Sequence, residues 1–264
     1  MNILDTIIAQ KRKEVEQLKR DTSVADLERG PFFKKNTASL VQSLSEKNST
    51  GIIAEFKRKS PSKGVINGQA GVEDVISAYE ANGASGISVL TDHEFFGGSL
   101  ADLQKAAIIT NTPLLRKDFM IDEYQLYEAK AYGASVILLI AACLSITDVK
   151  QLARTAKDIG LEVLLEIHNH EELEHISDEV DIVGVNNRNL RSFEVQLETS
   201  ADLSKSIPGG KLKISESGIH KIEDVVYLKQ YGFDGFLIGE NFMKQEDPGA
   251  AFQLFIQELK STTT

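Results

Sequence analysis

The 264-residue chain is long enough to bury roughly 70–75% of its unfolded surface, the size of one α/β barrel or of two smaller domains. With 42% hydrophobic and 26% charged residues and no low-complexity tract, it is not disordered, collagen-like or a disulfide scaffold. A net charge of −10 argues against a general nucleic-acid binder, and a single cysteine, Cys143, fits a reducing cytoplasm rather than an internal disulfide or thiolate metal cluster.

The chain opens with an amphipathic pattern over residues 1–20, where Ile3, Leu4, Ile7, Ile8, Val15 and Leu18 share a face. Its charges are balanced, so it reads as a helix that docks on its own domain rather than a lipid anchor. Asp5 and Lys11-Arg12-Lys13 stand where a secretory signal would be basic and then apolar. A polar stretch ending in SEKNSTG, 45–51, reads as the loop into the main domain.

From residue 51 short apolar runs alternate with helical patterns. The strands are predicted at 51–56, 86–91, 113–119, 135–141, 161–167, 181–186, 211–217 and 234–239. Helices are predicted near 73–82, 99–110, 122–132, 146–158, 170–177, 199–206, 221–230 and 248–260. Gly83, Gly133, Gly160 and Gly232 stand where helices end before the next strand and need a left-handed residue. The most apolar run, 135–146, falls short of the ~18 residues of a membrane span. Continuous apolar strands alternating with helices require a parallel sheet covered by helices. Eight such units point to a closed (βα)8 barrel with an N-terminal helical extension, one domain with extension 1–50, barrel 51–260 and tail 261–264. The alternative is a doubly wound open sheet, which has fewer strands and, when it binds a dinucleotide, a GxGxxG that this chain lacks.

Barrel chemistry sits at the C-terminal strand ends. There, Glu55 and Lys57 share a parity with Ile53. Lys117 ends the third strand, Glu166 the fifth and Asn186 the sixth, with Arg188 two residues on. The seventh ends SESG, 215–218, and the eighth IGEN, 238–241. Arg58, Lys59 and Arg116, of opposite parity, read as solvated rim residues. The run KRKSPSK, 57–63, holds four cations and suggests a positive mouth for an anionic small substrate. Glycines after the last two strands allow backbone N–H groups to close on a phosphate. No P-loop or GxSxG is present. His168 and His170 lack the HExxH spacing and read as loop residues, so an acid–base enzyme without metal or cofactor is the simplest fit.

AEFKRKSPSKG (54–64), SVLTDHEFFGGSLADL (88–103), LLRKDF (114–119), LLEIHN (164–169), VGVNNRNL (183–190), SESGI (215–219) and FLIGENFM (236–243) resemble the indole-3-glycerol-phosphate synthase family over nearly the whole chain. The resemblance implies ring closure, decarboxylation and dehydration of 1-(2-carboxyphenylamino)-1-deoxyribulose 5-phosphate in tryptophan biosynthesis. It implies Lys117 as general acid, Glu166 as general base and Glu55 paired with Lys57, and leaves the dehydration proton to either lysine. Asn186 and Arg188 match the polar wall, Phe96 and Phe119 the aromatic pair flanking the substrate ring. Ser60, Ser217, Gly218, Gly239 and Glu240 match the phosphate end. Glu240 departs from the small hydroxyl residue common there, so its backbone N–H rather than its carboxylate is expected to face phosphate. The partner is then a small anionic sugar phosphate, not nucleic acid or membrane. A monomer is expected, a dimer remains open, and the short tail after the last helix suggests a monofunctional chain. Two other readings of the strand-end residues are a Schiff-base aldolase using Lys117 and a non-catalytic phospholigand-binding barrel.

Overall fold

A computed structural model describes residues 3–190 and 192–262. Parallel strands β1 (Ile52–Phe56), β2 (Gly86–Leu90), β3 (Leu114–Lys117), β4 (Val136–Ile140), β5 (Glu162–Ile167), β6 (Ile182–Asn186), β7 (Leu212–Glu216) and β8 (Gly235–Ile238) form a closed barrel. β1 joins both neighbours, pairing Ile53 with Gly86 of β2 and Ala54 with Ile238 of β8. Each strand lies within the predicted run, and the doubly wound alternative is excluded by closure. Helices follow the strands as the periodicity predicts, and Gly83, Gly133, Gly160 and Gly232 all have positive φ. The last helix is Pro248–Thr262; residues 263 and 264 of the expected tail, like residues 1 and 2 of the first helix, lie outside the described residues.

The expected helix at 170–177 is a 3-10 turn, His170–His175, with Asn169 accepting from the Glu172 N–H at its start. Its sequence HEELEH carries one apolar residue, too few to hold a longer α-helix against the barrel. Residues 46–51 form the expected loop into β1, but an unexpected element stands just ahead of it. Leu40–Ser45 is a helix whose Leu40 and Leu44 join the barrel interior with Ile53, Leu115, Leu138, Leu164, Ile214 and Leu237. It plugs the N-terminal end of the barrel. A Cβ on Gly86 or Gly235 would stand 2.6 Å from Leu40 or 3.0 Å from Leu44, so glycine at these strand starts makes room for the plug. Glu162, at the start of β5, accepts from the Leu40 and Val41 N–H groups at 2.8 and 3.1 Å and from the Ser39 hydroxyl.

The N-terminal helix, Ile3–Asp21, docks on the opposite end as expected, burying Ile7 and Val15. It also buries Lys11, whose Nζ lies 2.9 Å from Asp92, 3.0 Å from Asp118 and 2.8 Å from Glu14. The next cation in this chain corrects the rim assignment of Arg116. It is buried between β3 and the following helix, pairing with Glu128 at 2.8 Å and Asp118 at 3.2 Å and donating to Thr91 and the Gln125 carbonyl. Opposite parity here means the helix layer, not the solvent. Arg58 is likewise half-buried, paired with Asp102 at 2.7 Å and stacked on Phe56. Lys59 keeps to the rim and donates to the Glu94 carbonyl.

Burial opposes charge on both Lys11 and Asp118. Asp118 and Asp92 nevertheless raise the Lys11 pKa, and Arg116 and Lys11 lower that of Asp118 to about 2. Lys11→Met keeps the stem and removes the charge, leaving two carboxylates underpaired. A loss of about 3–5 kcal/mol is expected, read as a lower denaturant midpoint and faster proteolysis of the N-terminal helix. The Asp118 contribution is complete above the unfolded carboxylate pKa of about 4 and is lost as pH falls towards 2. The gap between wild type and variant should therefore narrow in acid.

Candidate active site

Alternation along a strand sends every second side chain inward, so the interior leucines and isoleucines continue upward into ionisable groups. Ile53 is followed at the same parity by Glu55 and Lys57, Leu115 by Lys117, Leu164 by Glu166 and Ile214 by Glu216. These groups converge at the C-terminal end. Lys117 Nζ stands 2.8 Å from Glu166 Oε2 and 2.6 Å from Glu216 Oε2, and Lys57 Nζ stands 2.5 Å from Glu55 Oε1. Ser88 donates weakly to the other Glu55 oxygen at 3.4 Å. Glu55, Glu166 and Glu216 are all buried.

Burial alone would discharge this cluster. For Lys117 it is outweighed by Glu166, Glu216 and Glu55, which together raise its pKa and keep it an ammonium. For Glu166 burial is outweighed by Lys117 and His168, so the carboxyl is held below its ordinary range. Glu216 goes the other way: burial, reinforced by Glu166 and Glu55, pushes it up to about 7 despite Lys117. One lysine between two carboxylates thus gives one firm anion and one carboxyl held well above its ordinary range.

Glu55, Lys57, Ser60, Phe96, Lys117, Phe119, Glu166, Asn186, Arg188, Ser217, Gly218, Gly239 and Glu240 all line one pocket, roofed by Ile3, Leu4 and Ile7 of the N-terminal helix. Phe96 and Phe119 face each other with ring centres 6.0 Å apart. Asn186 Oδ1 accepts from the Arg188 N–H at 3.0 Å, which sets the start of the loop after β6. Of the four cations in KRKSPSK, only Lys57 lines the pocket. Arg58 is turned to Asp102, and Lys63 lies 3.6 Å from Glu240. The positive mouth expected from that run is therefore mostly neutralised locally, and among the described residues the lysines and arginines that line the pocket are Lys57, Lys117 and Arg188.

The sequence patterns assign no role to Glu216 and read His168 only as a loop residue, which is where it lies, just after β5. Glu216 lies inside the SESG motif and shares the inward parity of Ile214. A second signal was Gly184 on β6, where a Cβ would stand 2.5 Å from Glu216 Oε1. His168 follows Glu166 by two residues and is its neighbour at 3.2 Å, a contact that only the turn after β5 creates.

At the far end of the pocket Ser217 has φ 67° and Gly218 φ 79°. Left-handed backbone at a serine is strained and persists only where neighbours enforce it. Asn187 does so by donating to the Ser217 carbonyl at 3.0 Å. β8 ends at Ile238, and Gly239 caps the start of the short helix Glu240–Met243.

The family model of indole-3-glycerol phosphate synthase matches residues 4–255. The chain belongs to that family. It is 47% identical over 259 residues to the indole-3-glycerol phosphate synthase of Bacteroides thetaiotaomicron, covering 98% of this chain and 99% of that one. It is 42% identical over 254 residues to that of Chromobacterium violaceum, covering 95% and 96%. Among solved structures, a tryptophan synthase alpha-subunit variant from Pyrococcus furiosus shares the fold, with TM-score 0.63 at 17% identity, over 81% of this chain and 98% of that one.

An indole-3-glycerol phosphate synthase is a carboxy-lyase of tryptophan biosynthesis. It closes 1-(2-carboxyphenylamino)-1-deoxyribulose 5-phosphate to indole-3-glycerol phosphate, carbon dioxide and water. Its ligand is therefore a small sugar phosphate. Gly239 matters to such a synthase for a reason the sequence did not show. A Cβ there would stand 2.6 Å from Glu55 Oε1 and 2.8 Å from Glu55 Cβ. Gly239→Ala should push Glu55 off Lys57 and lower kcat by about 10²-fold, the cost of an ångström-scale misplacement, with little change in far-UV circular dichroism. Normal turnover would mean that the Glu55–Lys57 geometry does not matter.

Proposed function

We propose that the synthase reaction is driven by Lys117 as general acid and Glu166 as general base, with Lys57 oriented by Glu55 as the second cation. The single observation supporting this most directly is the Lys117 ammonium shared between the buried carboxylates of Glu166 and Glu216. As the carboxylate-bearing ring carbon attacks the ketone, the carbonyl oxygen gathers negative charge, and an ammonium beside it donates the proton. Carbon dioxide then leaves, its bonding electrons restoring the aromatic ring. The new hydroxyl departs as water when a lysine, Lys57 or Lys117, protonates it. The nitrogen lone pair assists, and loss of a proton from the carbon beside nitrogen completes the indole. Glu166 is the base for that last proton.

Phe96 and Phe119 flank the substrate ring, and Asn186 and Arg188 meet its carboxylate and hydroxyls. Ser60, Ser217, Gly218, Gly239 and Glu240 hold the phosphate, the last three through backbone N–H groups. These roles use side-chain and backbone groups alone, so turnover is expected to survive EDTA. A Schiff base at Lys117 would need the free amine, whereas two carboxylates hold this lysine charged; borohydride with substrate should leave its mass unchanged. We further infer a cytoplasmic monomer.

Lys117→Ala and Glu166→Gln are each expected to lower kcat by at least ~10²-fold with the fold intact by circular dichroism. Near-normal turnover in either removes that residue from its role. Glu240→Ser tests the phosphate end. Its carboxylate faces Lys63 at a half-exposed site, where a unit charge a few ångströms away is worth about 1 kcal/mol. The substitution should leave kcat unchanged and tighten KM a few-fold at most, less so at high salt. A KM more than about tenfold weaker would assign the carboxylate a positive role in holding Lys63 for the phosphate.

A further inference from the structure

The His168 side chain is only 9% exposed, and each of its ring nitrogens faces a carboxylate. Nε2 stands 3.2 Å from Glu166 Oε1, and Nδ1 stands 3.1 Å from Glu172 Oε2. Glu172 is itself fixed. Its Oε2 accepts from the His168 N–H at 2.8 Å and its Oε1 from Asn169 Nδ2 at 2.8 Å, while Asn169 Oδ1 accepts from the Glu172 N–H. The contact to Glu166 is an ion pair when the ring is protonated, and among the described residues Nε2 makes no hydrogen bond to any other group. Glu166 borders the main pocket. His168 and Glu172 border a second, polar recess behind it, and Asn186 and Arg188 border both.

We propose that His168, oriented by Glu172, is a positioning residue for the base. As an imidazolium it holds Glu166 Oε1, so that the carboxylate stays ionised and aimed when Lys117 turns from Oε2 to the substrate. The inference rests on Glu166 being the base. Its physical content is a division of labour between two cations. Lys117 must leave Glu166 to protonate the substrate, and a buried carboxylate that lost its only cation would take up a proton and cease to be a base. The imidazole is tied to the turn after β5 and does not leave with it.

The groups facing this pair are consistent with an imidazolium. Burial alone would discharge His168, but Glu166 and Glu172 raise its pKa to about 9. Lys117 approaches Glu166 from β3, with Glu216 and Glu55 beyond it on β7 and β1. Cys143, on the turn after β4, is kept a neutral thiol by burial and by Glu166 and Glu172, and adds no charge.

Two measurements on the intact enzyme test this. In the ¹⁵N spectrum of the unliganded protein at pH 7.5, both His168 ring nitrogens should carry protons, and Glu172→Gln should move the imidazole titration to lower pH. A neutral imidazole in the wild type at that pH overturns the proposal without any reference to turnover. In kinetics, His168→Gln should lower kcat about tenfold with KM within about twofold. Glu166 must be ionised to act and loses its neighbouring cation, so the acid limb of kcat should rise by about one pH unit. A merely structural role would not move that limb. An unshifted limb in His168→Gln, with Glu166→Gln inactive, overturns the positioning role and leaves the base assignment standing. An active Glu166→Gln removes the base assignment, and with it the catalytic purpose of the pair, whatever the spectrum shows.

Discussion

The site depends on one ammonium kept in a place that does not want it. Lys117 stands above a layer of Leu115, Leu138, Leu164, Ile214 and Leu237, in surroundings where an unpaired charge would be too costly to survive. It stays charged because Glu166 and Glu216 each reach it within hydrogen-bonding distance. Those carboxylates in turn depend on room made by other residues. Gly184 leaves the space that Glu216 occupies, and Gly239 leaves the space that Glu55 occupies. Glycine beside each of these glutamates, on β6 next to the β7 of Glu216 and just past β8 next to the β1 of Glu55, is how the barrel fits three carboxylates and two lysines into a mouth of fixed diameter.

The same strand carries a second circuit facing the other way. Along β3 and into its loop, Arg116 points to the helix layer, Lys117 to the pocket, and Asp118 back outward. Arg116 and Asp118 belong to a chain that runs from Glu128 through Arg116 and Asp118 to Lys11 of the N-terminal helix. Lys11 also holds Asp92, whose other oxygen accepts from the Phe95 and Phe96 N–H groups. Phe119, the partner of Phe96, donates its own N–H to Asp118. The docked helix therefore fixes both aromatic walls through two aspartates, and a flanking network sets the backbone from which Lys117 projects.

The barrel was legible because each strand is a short apolar run bounded by glycine or polar residues, and parity carried Glu55, Lys57, Lys117 and Glu166 to one end. Parity did not separate outward into solvent from outward into helix, which is why Arg116 read as a rim residue. Lys11 was hidden for a related reason. A lysine in a charged heptad looks solvated, and its two aspartates are about 80 and 110 residues away in sequence. The Leu40–Ser45 helix supplies only Leu40 and Leu44 to the interior, too few for a periodic signal. Glu216 was available to inspection, since Ile214 and Glu216 repeat the alternation of Leu164 and Glu166. His168 was not, because its role arises from a turn that folds two residues back onto the carboxylate preceding them.

Two helices ahead of β1, one expected and one hidden in the sequence, bear on the pocket because they close the barrel at its two ends. The helix Ile3–Asp21 lies over the C-terminal mouth, where Ile3, Leu4 and Ile7 roof the pocket. The helix Leu40–Ser45 seals the N-terminal opening with Leu40 and Leu44, tied to β5 by Glu162. A barrel of eight strands is filled by its own side chains only if nothing small lies at the entrance. Gly86 and Gly235 would leave such a gap, and the plug fills it. With the interior filled by apolar side chains, the attraction between Lys117 and its carboxylates is weakly screened and stays strong enough to offset their burial. The plug thus bears on the pocket from the opposite end of the barrel, as part of the apolar floor beneath the Lys117 pairing.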